Sequence, residues 1–543
     1  MNNALFTFER PKNEMPLSYA PGTKEKEELK KELKKQSSQQ IEIPLIIGGK
    51  EVKTGDMGEV VMPHDHQHVL AKYHKAGEKE VNMAIEAALE AKKQWEKTPW
   101  VERASIAKKI AELISTKYRY VLNASTMLGQ SKTPHQSEIE AVCEAADFHR
   151  FNSYFMQKIY SDQPLSVDGV LNRVHYRPLE GFILAVTPFN FTAIASNLPT
   201  APALMGNVSL WKPATTALLS NYYLMQVYKE AGMPDGVVNF IPGKGSVIGG
   251  TSLKSPNFGG LHFTGSKGTF DYLWQSIGKN LGKYNTYPRI VGETGGKDFV
   301  MAHKSANPRE IATAIVRGAY EYQGQKCSAV SRAYIPKSLW DDTYKEMKSM
   351  IDEIGMGDVQ DFRNFMGALI DEASFDNVAG YIDQAKKDKD AEIIIGGNYD
   401  KSKGWFIDPT VIKVDDPKYV TMEEELFAPV LTVYVYDDDK YTETLHLLDE
   451  TSPYALTGSI FARDRYAIEE ASYILRQAAG NFYINDKPTG SIVGQQPFGG
   501  ARRSGTNDKA GSMLNLMRWV SQRSIKENLN PPTDFKYPYM GEE

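Results

Sequence analysis

From Gly181 onward, continuous apolar runs alternate with stretches whose apolar residues recur at helical spacing. Phe182-Ile183-Leu184-Ala185-Val186 has the texture of a parallel strand buried on both faces. A helix-like stretch from Ala193 follows, then Val208 to Trp211, Ala217 to Glu230 and Val237 to Phe240. Gly260 to Phe263 and a helix from about Lys267 complete this series. A second series begins near Phe299 and runs to about Ile484, with Ile393 to Gly397 and Val430 to Tyr436 as further strands. Strand–helix alternation at this spacing predicts doubly wound sheets. The expected architecture is two α/β lobes with a cleft between them.

Upstream the pattern is different. Glu78 to Trp95, Ala104 to Tyr118 and Ser137 to Phe155 show helical spacing, and Ile41 to Ile47 reads as a short strand closed by Gly48-Gly49. Lys24 to Lys35 carries only Leu29 and Leu33 as an apolar pair, which predicts a solvated surface helix.

Composition narrows the class. Hydrophobic residues make up 41% and charged residues 24%, and the net charge is −5, which gives no overall attraction to nucleic acid. No stretch approaches the roughly 18 apolar residues of a membrane span. Two cysteines in 543 residues exclude a disulfide framework and suit a reducing compartment. The first fifteen residues mix Glu9 and Glu14 with Arg10 and Lys12 and lack the pattern of a secretory or transit peptide. The expectation is a cytoplasmic protein, with a processed mitochondrial matrix protein as the alternative.

Cys327, in Gly324-Gln325-Lys326-Cys327-Ser328, lies 34 positions after Glu293 of Glu293-Thr294-Gly295-Gly296-Lys297. A thiol in one Gly/Ser loop and a carboxylate in another suit covalent chemistry on an aldehyde. The thiolate adds to the carbonyl, and the carboxylate later activates water against a thioester. Cys143, among Ala141, Val142, Ala145 and Ala146, reads as packing. Of the glycine loops, Gly243 to Gly249 misses the dinucleotide fingerprint by one residue. Gly265-Ser266-Lys267-Gly268-Thr269 follows a strand and opens a helix, so it reads either as a pyrophosphate cradle or as a plain helix cap. Lys212 sits just past a strand end, where open sheets bind ligands. The run His64-Asp65-His66-Gln67-His68 resembles a metal clutch, but no matching ligands follow and no metal is expected.

Six runs in order resemble the aldehyde dehydrogenase superfamily: Thr187 to Phe191, Trp211 to Pro213, Phe263 to Ser266, Glu293 to Lys297, Gly324 to Ser328, and Glu425 to Val430. The stretches Gly480 to Lys487, Thr489 to Gly500 and Ser504 to Lys509 are similar to the Δ1-pyrroline-5-carboxylate dehydrogenase family within it. The resemblance implies NAD-dependent oxidation of L-glutamate γ-semialdehyde, a small-molecule substrate, to glutamate. It implies a Rossmann-like cofactor domain (41–161 and 178–296), an α/β catalytic domain (297–490), and a return segment (491–523). An oligomerisation element (162–177 and 524–543) and an N-terminal charged arm (1–40) complete the expected aldehyde dehydrogenase-like fold. It further implies a homo-oligomer, a dimer or dimer-based, and a partnership with proline dehydrogenase.

By the same resemblance, Cys327 is the nucleophile, Glu293 the general base, and Asn190 an oxyanion donor. Lys212 and Glu425 would hold the two cofactor riboses, Phe427 the nicotinamide, and Thr187 with Gly265 to Thr269 the remainder. Thr215 stands where relatives often carry an acidic residue, so no carboxylate there repels a 2′-phosphate. Gly490 and Ser491, helped by Ser328, suit an α-carboxylate. Phe191 and Phe498 would flank the methylene chain, and Glu138 is the candidate for an α-ammonium. The rival readings are a dehydrogenase for another small carboxylated semialdehyde, a cofactor-free cysteine esterase or amidase, and a non-catalytic protein of the same fold.

Overall fold

Two seven-stranded sheets organise the computed structural model, which describes residues 6–542. The first contains β1 (Leu45–Ile47), β2 (Lys50–Val52), β3 (Phe182–Val186), β4 (Ser209–Lys212), β5 (Val238–Phe240), β6 (Phe258–Thr264) and β7 (Arg289–Glu293). Their order is β7-β6-β3-β4-β5-β1-β2. The strands from β7 to β5 are parallel, while β1 and β2 add an antiparallel edge. From β3 the chain steps outward through β4 to β5, then crosses back to β6 on the other side of β3 and continues to β7. That reversal opens a crevice beyond the C-terminal ends of β3 and β6. The apolar runs make it possible: Phe182, Leu184, Leu210, Phe240 and Phe263 are buried in one core.

The second sheet contains β8 (Asp298–Ala302), β9 (Val330–Pro336), β10 (Ala391–Ile395), β11 (Thr410–Val414), β12 (Val430–Tyr436), β13 (Thr457–Phe461) and β14 (Asn481–Ile484). It runs β10-β11-β12-β9-β8-β13-β14 and is parallel except for β10. Only Thr294 to Lys297 separate β7 from β8, so the two sheets meet at that short link.

The two segments expected in an oligomerisation element, 162–177 and 524–543, are joined only in part: Val170–Pro178 and Val520–Asn528 form an antiparallel ribbon whose second strand begins inside the expected return segment 491–523. Several expectations need correction. Ile41 to Ile47 is not one strand. Pro44, which has no N–H to donate, splits it. Ile41–Ile43 then pairs with Asp65–His74, while β1 joins the first sheet. The expected helix Ala104 to Tyr118 is Trp100–Ser115. The one from Ser137 starts at Pro134 and continues to Ser161 through a π-helical turn, Glu138–Glu144. The charged helix, α1 (Lys24–Ser37), lies on the surface but is docked by its apolar pair: Leu29 and Leu33 are buried against Met127 and Leu128. The arm before it is packed along the body, as described below. Its first five residues, and the last residue of the chain, lie outside the described residues.

Candidate active site

The loop that carries Cys327 is held in an unusual backbone conformation. Tyr322, Gln323 and Gly324 have φ of 53°, 53° and 66°, three left-handed residues in a row. Non-glycine residues in this region cost about 1–3 kcal/mol each, so their surroundings must fix them. Gln323 does this by donating to the carbonyls of Ser131 and Ala368, each at 2.9 Å, and accepting from Gly367 N–H at 2.9 Å. Gly324 admits no side chain, since a Cβ there would lie 2.3 Å from the Ala428 carbonyl oxygen. The glycines of the β7–β8 link have the same origin. A Cβ on Gly296 would sit 2.2 Å from the Cys327 carbonyl, and one on Gly295 would sit 1.9 Å from the Glu425 carboxylate. Close approach of three backbone segments therefore explains both Gly-rich motifs.

Cys327 is half-buried and lines a cavity of about 350 Å³. Ser328, Gly490, Ser491, Phe191 and Phe498 line the same cavity. Ser328 Oγ shares a 2.8 Å hydrogen bond with Thr489 Oγ1, which ties the cysteine loop to the 487–498 loop. Gly490 has φ of 92°, and Lys487 Nζ donates to the Thr489 carbonyl at 2.9 Å. Asn190 is buried beside the loop, its amide nitrogen donating to the Gln325 carbonyl at 3.1 Å. That leaves its second N–H free.

The electrostatics around the sulfur are one-sided. Burial pushes the Cys327 thiol well above its ordinary value, and the carboxylates of Asp298, Glu293, Glu425 and Glu144 push it further. Glu293, which accepts from Gly500 N–H at 3.3 Å, is raised well above the usual carboxylate range, mainly by burial. Burial also raises Glu425 to about 7, although its carboxylate accepts from Gly296 N–H at 2.8 Å.

On the opposite side lies the crevice at the sheet reversal. Thr187 follows β3, Lys212 ends β4, and Gly265 follows β6. Thr187 Oγ1 accepts from Trp211 Nε1 at 2.9 Å, and Gly265 N–H donates to the Glu293 carbonyl at 3.1 Å. Lys212 makes no ion pair among the described residues, and burial lowers it to about 8. Ser266 caps the helix Lys267–Asn280, accepting from Thr269 N–H, while Lys267 pairs with Asp271 at 3.0 Å. Ser266, Gly268 and Thr269 are exposed at the mouth. Phe427, at φ 56°, packs edge-to-face on Phe189 with ring centroids 5.8 Å apart. The free amine, the positive helix end and the open loop fit a dinucleotide.

One site residue is not where the sequence placed it. Glu138 faces away from the cavity, fully buried. It accepts from Leu17 N–H at 2.9 Å, Tyr19 Oη at 2.7 Å, Asn123 Nδ2 at 2.7 Å and the Arg119 guanidinium. Its neighbours Glu140, Cys143 and Glu144 line the cavity instead, because the π-helical turn rotates the helix face. Cys143, read as packing, is buried but also borders the cavity. Lys132, also unforeseen, is fully buried under the wall. It pairs with Glu140 at 2.7 Å and lies 4.3 Å and 4.4 Å from the rings of Phe191 and Tyr322. The buried Lys297 amine has no hydrogen-bond partner among the described residues, and burial, then Arg332, lowers it to about 7. The histidines of the 64–68 run diverge: His64 meets Ser131, while His66 stacks on Trp405. Among the described residues no cluster suited to a metal ion is present.

The sequence model of the aldehyde dehydrogenase family matches residues 51–525. The chain is 53% identical to the mitochondrial delta-1-pyrroline-5-carboxylate dehydrogenase of Dictyostelium discoideum, across 98% of this chain and 96% of that one. It superposes with a TM-score of 0.96, at 48% identity and over all of both chains, on the delta-pyrroline-5-carboxylate dehydrogenase of Mycobacterium tuberculosis bound with NAD. Proline utilization A from Bdellovibrio bacteriovorus matches at 27% identity with a TM-score of 0.91, over 96% of this chain and 53% of that one.

Proposed function

The chain belongs to the aldehyde dehydrogenase family, and from that premise we propose that it oxidises L-glutamate γ-semialdehyde, the open form of 1-pyrroline-5-carboxylate, to L-glutamate with NAD. One observation carries the substrate assignment. The thiol, a Gly/Ser loop and two phenyl rings share one cavity of about 350 Å³, at the small end of the range for small-molecule sites.

The Cys327 sulfur attacks the aldehyde carbon as its thiol proton passes to water and the carbonyl π electrons move onto the oxygen. The Asn190 N–H left free by Gln325, with the Cys327 backbone N–H, faces the developing oxyanion. A donor of this kind contributes about 3 kcal/mol. NAD, when bound, would supply the acceptor for the hydride lost from the former carbonyl carbon. Glu293 then takes a proton from water as the water attacks the thioester and passes it to the departing sulfur, so that the carboxylic acid and the thiol are released. Thr187, Lys212, Gly265 to Thr269, Glu425 and Phe427 would hold the dinucleotide.

The amides of Gly490 and Ser491 and the Ser328 hydroxyl receive the α-carboxylate, and Phe191 and Phe498 border the methylenes. For the α-ammonium we assign Glu144 rather than Glu138. The other cavity carboxylates, Glu14, Glu140 and Asp147, are each held by a basic group or by N–H donors, whereas Glu144 has no such partner among the described residues. Burial beside Glu140 raises it to about 8, a penalty that a bound cation relieves.

The ribbon Val170–Pro178/Val520–Asn528 is the surface we assign to a homodimer. A functional link to proline dehydrogenase is supported by the fold's occurrence within about half, 53%, of a proline utilization protein. The relative's mitochondrial designation supports the matrix for chains of that kind.

The test is NAD reduction with 1-pyrroline-5-carboxylate, set against succinate semialdehyde and an analogue lacking the α-amine. Preference for the first is expected. Equal or greater turnover of the analogue would overturn the substrate assignment.

A further inference from the structure

Residues 8–20 run along the body as a strap without regular secondary structure, and Asn13, Glu14, Met15 and Pro16 form part of the cavity wall around Cys327. The strap is fastened at several points. Asn13 Nδ2 donates to Asp147 at 2.7 Å and to the Val493 carbonyl at 2.8 Å, and Asn13 Oδ1 accepts from Gln495 at 2.9 Å. Glu14 N–H donates to Asp147 at 2.9 Å, and its carboxylate pairs with Arg119 at 3.0 Å and Arg150 at 2.7 Å. Arg119 also donates to the Met15 carbonyl at 3.0 Å.

Below the strap sits Glu138, the carboxylate that faces away from the substrate. It binds the strap at Leu17 and Tyr19 and the body at Arg119 and Asn123. This fully buried carboxylate, which also accepts from the Cys143 thiol at 3.9 Å, fastens the strap to the helical rod 134–161. The strap thereby bridges two parts of the candidate site, the π-helical turn on one side and the Val493–Gln495 segment of the Gly490 loop on the other.

We propose that Asn13–Pro16 close the outer end of the aldehyde cavity and set its upper limit on substrate length, with Glu138 as the positioning residue that seats them. This rests on the aldehyde-oxidising role of Cys327.

Two full-length variants test it: Asn13→Ala with Glu14→Ala, which releases the strap directly, and Glu138→Gln, which keeps the volume but removes the charge. Two readouts are taken on each. The first is the ratio of kcat/KM for octanal to that for propanal, expected to rise about tenfold on the scale at which a pocket discriminates methylenes. The second is alkylation of Cys327 by a bulky pyrenyl maleimide relative to iodoacetamide, read on the Cys327 peptide by mass spectrometry. It is expected to rise several-fold in both variants. An unchanged alkylation ratio in the strap variant overturns the wall, whether or not the protein oxidises aldehydes. A raised ratio in that variant with none in folded Glu138→Gln overturns the positioning role. Absence of aldehyde turnover in the parent, with alkylation still responding to the strap, would sink the catalytic reading and leave the wall standing.

Discussion

The two sides of Cys327 are built by different means. On the dinucleotide side the key positions are strand ends: Thr187 after β3, Lys212 ending β4, Gly265 after β6 and Glu293 ending β7. Backbone topology places them, and each strand is specified by its own apolar run. On the cavity side the wall combines residues 13–16, the π-helical turn, the cysteine loop and the 487–498 loop. Buried charge holds those pieces: Glu138 with Arg119, Glu140 with Lys132, and Glu321 with Lys326 at 3.0 Å. Breaking one partner of a buried pair strands the other, at a cost of about 3–5 kcal/mol. The shape of a strand-end site does not depend on its functional side chains, whereas the shape of a charge-assembled wall does.

That difference orders the expected effects. Cys327→Ala removes the atom both sides serve, so aldehyde-dependent NAD reduction should fall at least about 10³-fold with the thermal midpoint unmoved. Glu293→Gln should lower turnover about 10²- to 10⁴-fold. The parent's rate should rise with pH beyond the usual carboxylate range, because a base with a raised pKa becomes competent only on deprotonation. That rise should vanish in the variant.

Without cofactor, the reactive thiolate is disfavoured by burial and the surrounding carboxylates. Iodoacetamide alkylation of Cys327 at neutral pH should therefore be slower than that of an ordinary thiol, and still climbing above about pH 8.5. A plateau near neutrality would show that the carboxylates do not face the sulfur.

Glu144→Gln tests the cavity side alone. Loss of a charged contact should lower kcat/KM for the α-amino aldehyde about 10- to 100-fold, with little change for the analogue lacking the amine. The smallest effect belongs to the dinucleotide side. Ser266→Ala removes a helix cap worth about 1 kcal/mol, measurable as a lower thermal midpoint with a small rise in the KM for NAD.

The same contrast governs what the sequence made legible. β3 and β12 appear at the bounds their apolar runs predict, and the helix Glu78–Trp95 coincides with its periodicity. Ser328, Gly490, Ser491, Phe191 and Phe498 do meet around Cys327. Glu138 was chosen only as a carboxylate on an expected helix, and the π-helical turn Glu138–Glu144, not any motif, decides which of its carboxylates borders the cavity. The strap was invisible for another reason. A segment without regular secondary structure, held by side-chain hydrogen bonds, has no period of its own. Lys132 was hidden too, since only its burial and its pairing with Glu140 distinguish it from a surface lysine.

The most direct test is to mix Glu293→Gln with NAD and the semialdehyde, quench in acid after one turnover, and map the acylated peptide. Slow hydrolysis should leave the acyl group on Cys327, one per NAD reduced. Reduced cofactor without acylation at Cys327, or an adduct on Cys143 instead, would contradict covalent catalysis by this sulfur.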